Sequence, residues 1–160
     1  MSRKQKAKRH KSYRRRPVRR PMILDSHTVL EPIERILDDL ERLGQYTVWH
    51  AEDGTPGYAV FTAWDGNLYG SAGAIEGVLW HFDMMQARHR MNFPLVGMRA
   101  FHDAILALQP LSDEQIDLAR ADLDVMRRAL SFQNRADAMD MVQQAQIREQ
   151  LEKLNQKEKA

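Results

Sequence analysis

Cysteine is absent from the 160-residue chain. That excludes disulfides, a thiolate nucleophile and cysteine-ligated zinc or iron–sulfur sites, and it fits a cytoplasmic setting. No apolar run approaches the roughly 20 residues that cross a bilayer, so no membrane contact is expected. The start of the chain is positive but no apolar stretch follows it, which argues against a secretory signal. A helical organelle-targeting segment is disfavoured as well, because Pro17 and Pro21 interrupt helix interiors.

The spaced motifs of common catalysts are missing too. There is no GxxxxGK[ST], no HExxH and no G-x-S-x-G. A nonenzymatic protein without a cofactor is expected. The histidines do not make a metal site. His81 and His89 would lie about 12 Å apart on an ideal helix, His81 and Asp83 do not share a helix face, and the adjacency of His102 and Asp103 is no evidence of ligation.

The most consequential absence is acid at the start. No Asp or Glu precedes Asp25, while the first twenty residues hold eleven of the 24 Lys and Arg. Those residues carry +11, and the remaining 13 basic and 22 acidic residues carry −9. The net charge of +2 hides this polarity. Residues 1–22 read as an extended or disordered arm, because charge repulsion opposes compaction and few apolar groups offset the ordering entropy.

Such an arm attracts a polyanion. Arg14, Arg15, Arg16, Arg19 and Arg20 are suited to bidentate phosphate contacts. Lys4, Lys6, Lys8, Arg9 and Lys11 add less directional charge, and Tyr13 can stack on a base or pack near the body. The expected partner is DNA or RNA, held by its backbone without strong sequence preference. The bland alternative is a solubilising tail. The arm could also meet an acidic protein surface, including that of a second copy.

Lys11-Ser12-Tyr13-Arg14-Arg15-Arg16-Pro17-Val18, followed by Pro21-Met22, resembles the opening of small uncharacterised phage and prophage proteins. Those begin with a basic Tyr-Arg-x-Arg-Pro-Val segment ahead of a largely helical region. The resemblance is confined to this short segment. It implies a phage-encoded accessory or virion-associated protein and brings no activity with it.

Beyond the arm the pattern is mainly α: one predominantly helical domain over 23–160 with a small β-hairpin. Leu30, Ile33, Leu37 and Leu40 fall at helical spacing, predicting a helix over 28–43 that Gly44 ends. Pro32 favours a start near 30–31. Turn residues 52–57 between strand-like stretches are compatible with a hairpin over 46–64, with a loop crossing an otherwise helical domain as the rival reading. Ile75, Val78, Leu79, Phe82 and Met85 mark a helix over 71–90. Met98, Phe101, Ile105 and Leu108 mark the buried face of another at 95–108.

Ser112 and Gln115 have capping-box spacing, and Ala119, Leu123, Met126 and Leu130 form a seam behind them. Met139, Val142, Leu151 and Leu154 mark the inner face of a last helix, predicting a helical hairpin over 112–155. A homo-oligomer formed through these helices is expected, because so modest a stripe is marginal alone. Trp49, Trp64, Trp80, Tyr46, Tyr58 and Tyr69 can stack on bases, but core packing is the favoured expectation. The methionines read as core and interface filler.

Overall fold

A computed structural model describes residues 26–158. The protein is mainly α, with five helices and a small antiparallel sheet among the described residues. Helix α1 spans Ser26–Leu43. Strands β1 (Thr47–Trp49), β2 (Tyr58–Thr62) and β3 (Leu68–Gly70) follow, then α2 (Ser71–His89), α3 (Val96–Leu106), α4 (Asp113–Phe132) and α5 (Arg135–Glu158).

The core lies between α1, α2, α3, α4 and one face of β2. Leu30, Ile33, Ile36 and Leu37 of α1 meet Ile75, Phe82 and Met85 of α2, Met98 and Phe101 of α3, and Leu123 and Met126 of α4. Helix α1 starts earlier than Pro32 predicts. Proline cannot donate back along the helix, but Leu30 in the preceding turn is fully buried, and that burial offsets the lost bond. Gly44 takes φ +71° and donates to the Leu40 carbonyl at 2.8 Å, closing the helix as expected.

The predicted hairpin is present and gains a third strand. Thr47 pairs with Val60 and Trp49 with Tyr58, while Phe61 pairs with Tyr69 and Thr62 with Leu68. Two strands would be marginal alone. Here Ala59 and Phe61 point into the helical core.

Close packing and capping join α3 to α4. A methyl group on Gly97 would lie 2.6 Å from the Leu118 backbone, so only glycine admits this approach. The N-terminus of α3 has no cap from its own preceding residue. Asp122 of α4 supplies one, its carboxylate accepting from the Met98 N–H at 2.9 Å. Leu108 departs from the expected buried face. It adopts φ +52° just past α3 and is partly exposed. Gln109 N–H then reaches the Ala104 carbonyl at 2.8 Å, so the chain turns away instead of continuing the helix.

The capping box of α4 forms as the sequence predicts, with both Ser112–Gln115 bonds present. Its seam of Ala119, Leu123, Met126 and Leu130 is buried. Helix α5 departs from expectation. It lies on α2 rather than returning along α4, and its buried residues are Ala138 and Met141. Met139, Val142, Leu151 and Leu154 are all exposed. The α4–α5 junction explains the shift. Gln133 is buried there, accepting from His81 Nε2–H at 2.9 Å and donating to Met141 Sδ at 3.3 Å. These bonds turn Met141 toward α2.

Candidate functional site

The sequence-predicted binding residues Lys4, Lys6, Lys8, Arg9, Lys11, Tyr13, Arg14, Arg15, Arg16, Arg19 and Arg20 lie outside the described residues. The described residues supply the body to which the arm is joined, ahead of α1. That body is acidic, and much of its positive charge is spent internally. At least seven of its ten arginines pair with carboxylates. Arg127 of α4 reaches Glu34 of α1 at 2.8 Å, and Arg120 reaches Glu41 at 2.7 Å. Arg99 of α3 pairs with Asp83 of α2.

Arg88 of α2 donates to both Asp137 and Asp140 of α5, each at 2.6 Å, and His89 Nε2 lies 2.6 Å from Asp137. Burial opposes ionisation of Asp137. The hydrogen bonds from Arg88 and His89 outweigh it and hold the carboxyl below its ordinary value. The pairs of Arg88, Arg99, Arg120 and Arg127 join one helix to another, whereas those of Arg35, Arg42 and Arg148 lie within a single helix.

Four of the six aromatic residues reverse the core-packing expectation, while Tyr46 packs against the core as expected. Trp49, Tyr58 and Tyr69 are exposed, and Trp64 is 76% exposed at the β2–β3 turn. Tyr46 and Trp80 are half-buried. The reason is the sheet's two-residue period. Ala59 and Phe61 face the helices, which sends Tyr58, and its partner Trp49, to the outer face. Their rings pack at 5.2 Å between centroids, with Leu68 exposed on the same side.

The turns that end this sheet carry Asp53 and Asp65. Hydrogen bonds from Thr55 to Asp53, and from Asn67 and Tyr69 to Asp65, hold both carboxyls below their ordinary values. Asp53 and Asp65 thus place fixed negative charge at the two turns of the sheet.

An open groove of about 690 Å³ lies where the end of α1 meets β1 and the start of α4. Leu40, Val48, Leu108, Leu111 and Ile116 provide apolar lining, and Glu41, Asp113 and Asp117 provide carboxylates. The Tyr46 hydroxyl spans one side, donating to the Gln109 carbonyl at 3.0 Å. Burial raises its pKa, so it stays protonated at neutral pH. No cluster of three or more potential metal ligands occurs among the described residues. No helix of the described residues is long and apolar enough to cross a membrane. Sequence reading missed the groove because its acids come from α1 and α4, which are distant in the chain.

No family model matches the chain, and no curated protein or solved structure is significantly similar to it.

Proposed function

We propose that this is a nonenzymatic phage-type accessory or virion-associated protein that binds nucleic-acid phosphates through its N-terminal arm. The carrying observation is the separation of charge: +11 in the first twenty residues and −9 in the rest. A basic arm on an acidic body gains affinity from released counterions while the body stays off the polymer. Internal pairing of Arg88, Arg99, Arg120 and Arg127 supports this division of labour.

Affinity from such an arm is directed at the backbone and is shared by DNA and RNA. Titration of full-length protein with duplex DNA at several salt concentrations tests the reading. Neutralising Arg14, Arg15, Arg16, Arg19 and Arg20 should lower the slope of log affinity against log salt by about 4–5. The body should remain folded. Unchanged affinity in the folded variant refutes the assignment.

A second reading is a helical adaptor whose arm grips an acidic protein. The exposed Trp49–Tyr58 ring pair favours it, because it offers a protein partner an apolar contact on the body. Binding to an acidic protein with no binding to DNA or RNA would select this reading. Self-association belongs to either case. Ile147, Leu151 and Leu154 are exposed and their i, i+4, i+7 spacing places them on one face of α5, which suits a second copy.

A further inference from the structure

We infer that the groove between α1, β1 and α4 is the seat of this chain's own arm. In this arrangement Arg14 and Arg16 meet Asp113 and Asp117, and Tyr13 lies on the apolar lining. The inference concerns the arm's resting place and does not depend on which polyanion the arm serves.

Charge selects the occupant. Glu41 is answered by Arg120 at 2.7 Å. Asp113 and Asp117 are exposed at the groove and have no cationic partner among the described residues. The largest concentration of positive charge in the sequence is the arm. Spacing agrees. Residues four apart on a helix are separated by about 6 Å along its axis. Residues two apart in an extended chain are separated by about 6.6 Å. Arg14 and Arg16 therefore match the pitch of Asp113 and Asp117. The lining of Val48, Leu108, Leu111 and Ile116 offers an apolar surface to a tyrosine ring, which a purely ionic site would not.

Chain length permits the contact within one molecule. The 18 residues of α1 cover about 27 Å. The groove lies at its far end, beside Leu40, Glu41 and Gly44. Ten extended residue steps, from Arg16 to Ser26, span about 33 Å. The arm can run back along α1 and deliver Arg16 to the groove with little slack. Occupancy of the groove and capture of a polyanion would then oppose one another, each weakening the other by the same factor.

The absence of cysteine makes a clean test available. A nitroxide is attached to full-length protein through Gln45→Cys, at the exposed groove rim, and amide signals of Tyr13, Arg14, Arg15, Arg16 and Val18 are followed by NMR without nucleic acid. Strong paramagnetic broadening is expected in dilute protein. It should be lost with Asp113→Asn/Asp117→Asn, and in about 1 M salt, where the Debye length falls to about 3 Å. Retention of broadening with Glu52→Gln/Glu76→Gln, exposed acids elsewhere, controls for net charge.

Absence of broadening overturns the inference. So does broadening that appears only when spin-labelled and isotope-labelled copies are mixed, which would place a second copy's arm in the groove. Duplex DNA gives the functional readout. Asp113→Asn/Asp117→Asn should tighten binding by about fivefold or more relative to Glu52→Gln/Glu76→Gln. Equal affinities of the two variants would overturn competition for the arm. Failure of DNA to bind any form would refute the nucleic-acid reading and leave the NMR result to decide the docking.

Discussion

Helices α4 and α5 are neighbours in sequence and opposites in anchorage. The 20-residue α4 buries Ala119, Leu123, Met126, Ala129 and Leu130, and it packs on both α3 and α1. The 24-residue α5 is longer, yet its buried side chains are Ala138 and Met141. Apolar content alone does not separate them. In α4 the buried positions recur through the helix, from Ala119 by way of Leu123 and Met126 to Leu130, although Leu118 and Phe132 on its other side are exposed. In α5 burial stops early, with Ala138 and Met141 against α2 and Ile147, Leu151 and Leu154 exposed on the far side. A helix is held by where its apolar residues fall rather than by how many it has. Its ion pairs compensate only locally, because Arg88 reaches Asp137 and Asp140 in the first turns of α5.

The contrast breaks most visibly at Leu123. Leu123→Ala should cost about 2–5 kcal/mol from lost burial and the resulting cavity, read from urea unfolding. A loss below about 0.5 kcal/mol, typical of surface positions, would contradict its place in the core. Gly97→Ala tests the same region from its partner helix. The added methyl meets Leu118 backbone, which cannot rotate away, and a cost of about 1–3 kcal/mol is expected. Wild-type stability in that variant would show that α3 and α4 part without penalty.

Strong acid should loosen α5. Asp137 has a lowered carboxyl pKa in the folded protein. Its contribution is therefore complete above the unfolded value of about 4 and is lost as pH falls through the lower folded value. The Met141 methyl resonance should move toward its undocked position over that range. Asp137→Asn should show much of that change already at pH 6. An unmoved resonance in both would remove the clamp from the account.

The smallest stability effect is expected at Ile147. Ile147→Ala should change unfolding by about 0.5 kcal/mol or less in a monomer. If α5 pairs with a second copy, the same change should lower the mass seen by light scattering across micromolar concentrations. A strictly monomeric wild-type mass would reject stable self-association.

Much of the helical frame was legible in the sequence. The stripes of α1, α2 and α4 each bury one face, and Ser112, Gln115 and Gly44 mark helix ends through local chemistry. The sheet was legible as strands, but the orientation of its aromatics was not. Both faces of β2 carry apolar residues, Ala59 and Phe61 on one and Tyr58 and Val60 on the other. Period two alone cannot say which side the helices cover. Helix α5 misled for a related reason. Met139 and Val142 are larger apolar markers than Ala138, but the small Ala138 and the Gln133–Met141 bond decide which side meets α2. The arm's charge is plain in the sequence, whereas the groove exists only after α1 and α4 are brought together.

The brevity of the sheet has one more consequence. Both outer strands, β1 and β3, are three residues long, although their side chains are largely exposed. An edge that short presents few free backbone groups to an incoming strand. It is a poor template for open-ended cross-β growth. The exposed Trp49 and Tyr58 can thus serve as sticky side chains while the backbone beside them resists recruiting further copies into a fibre.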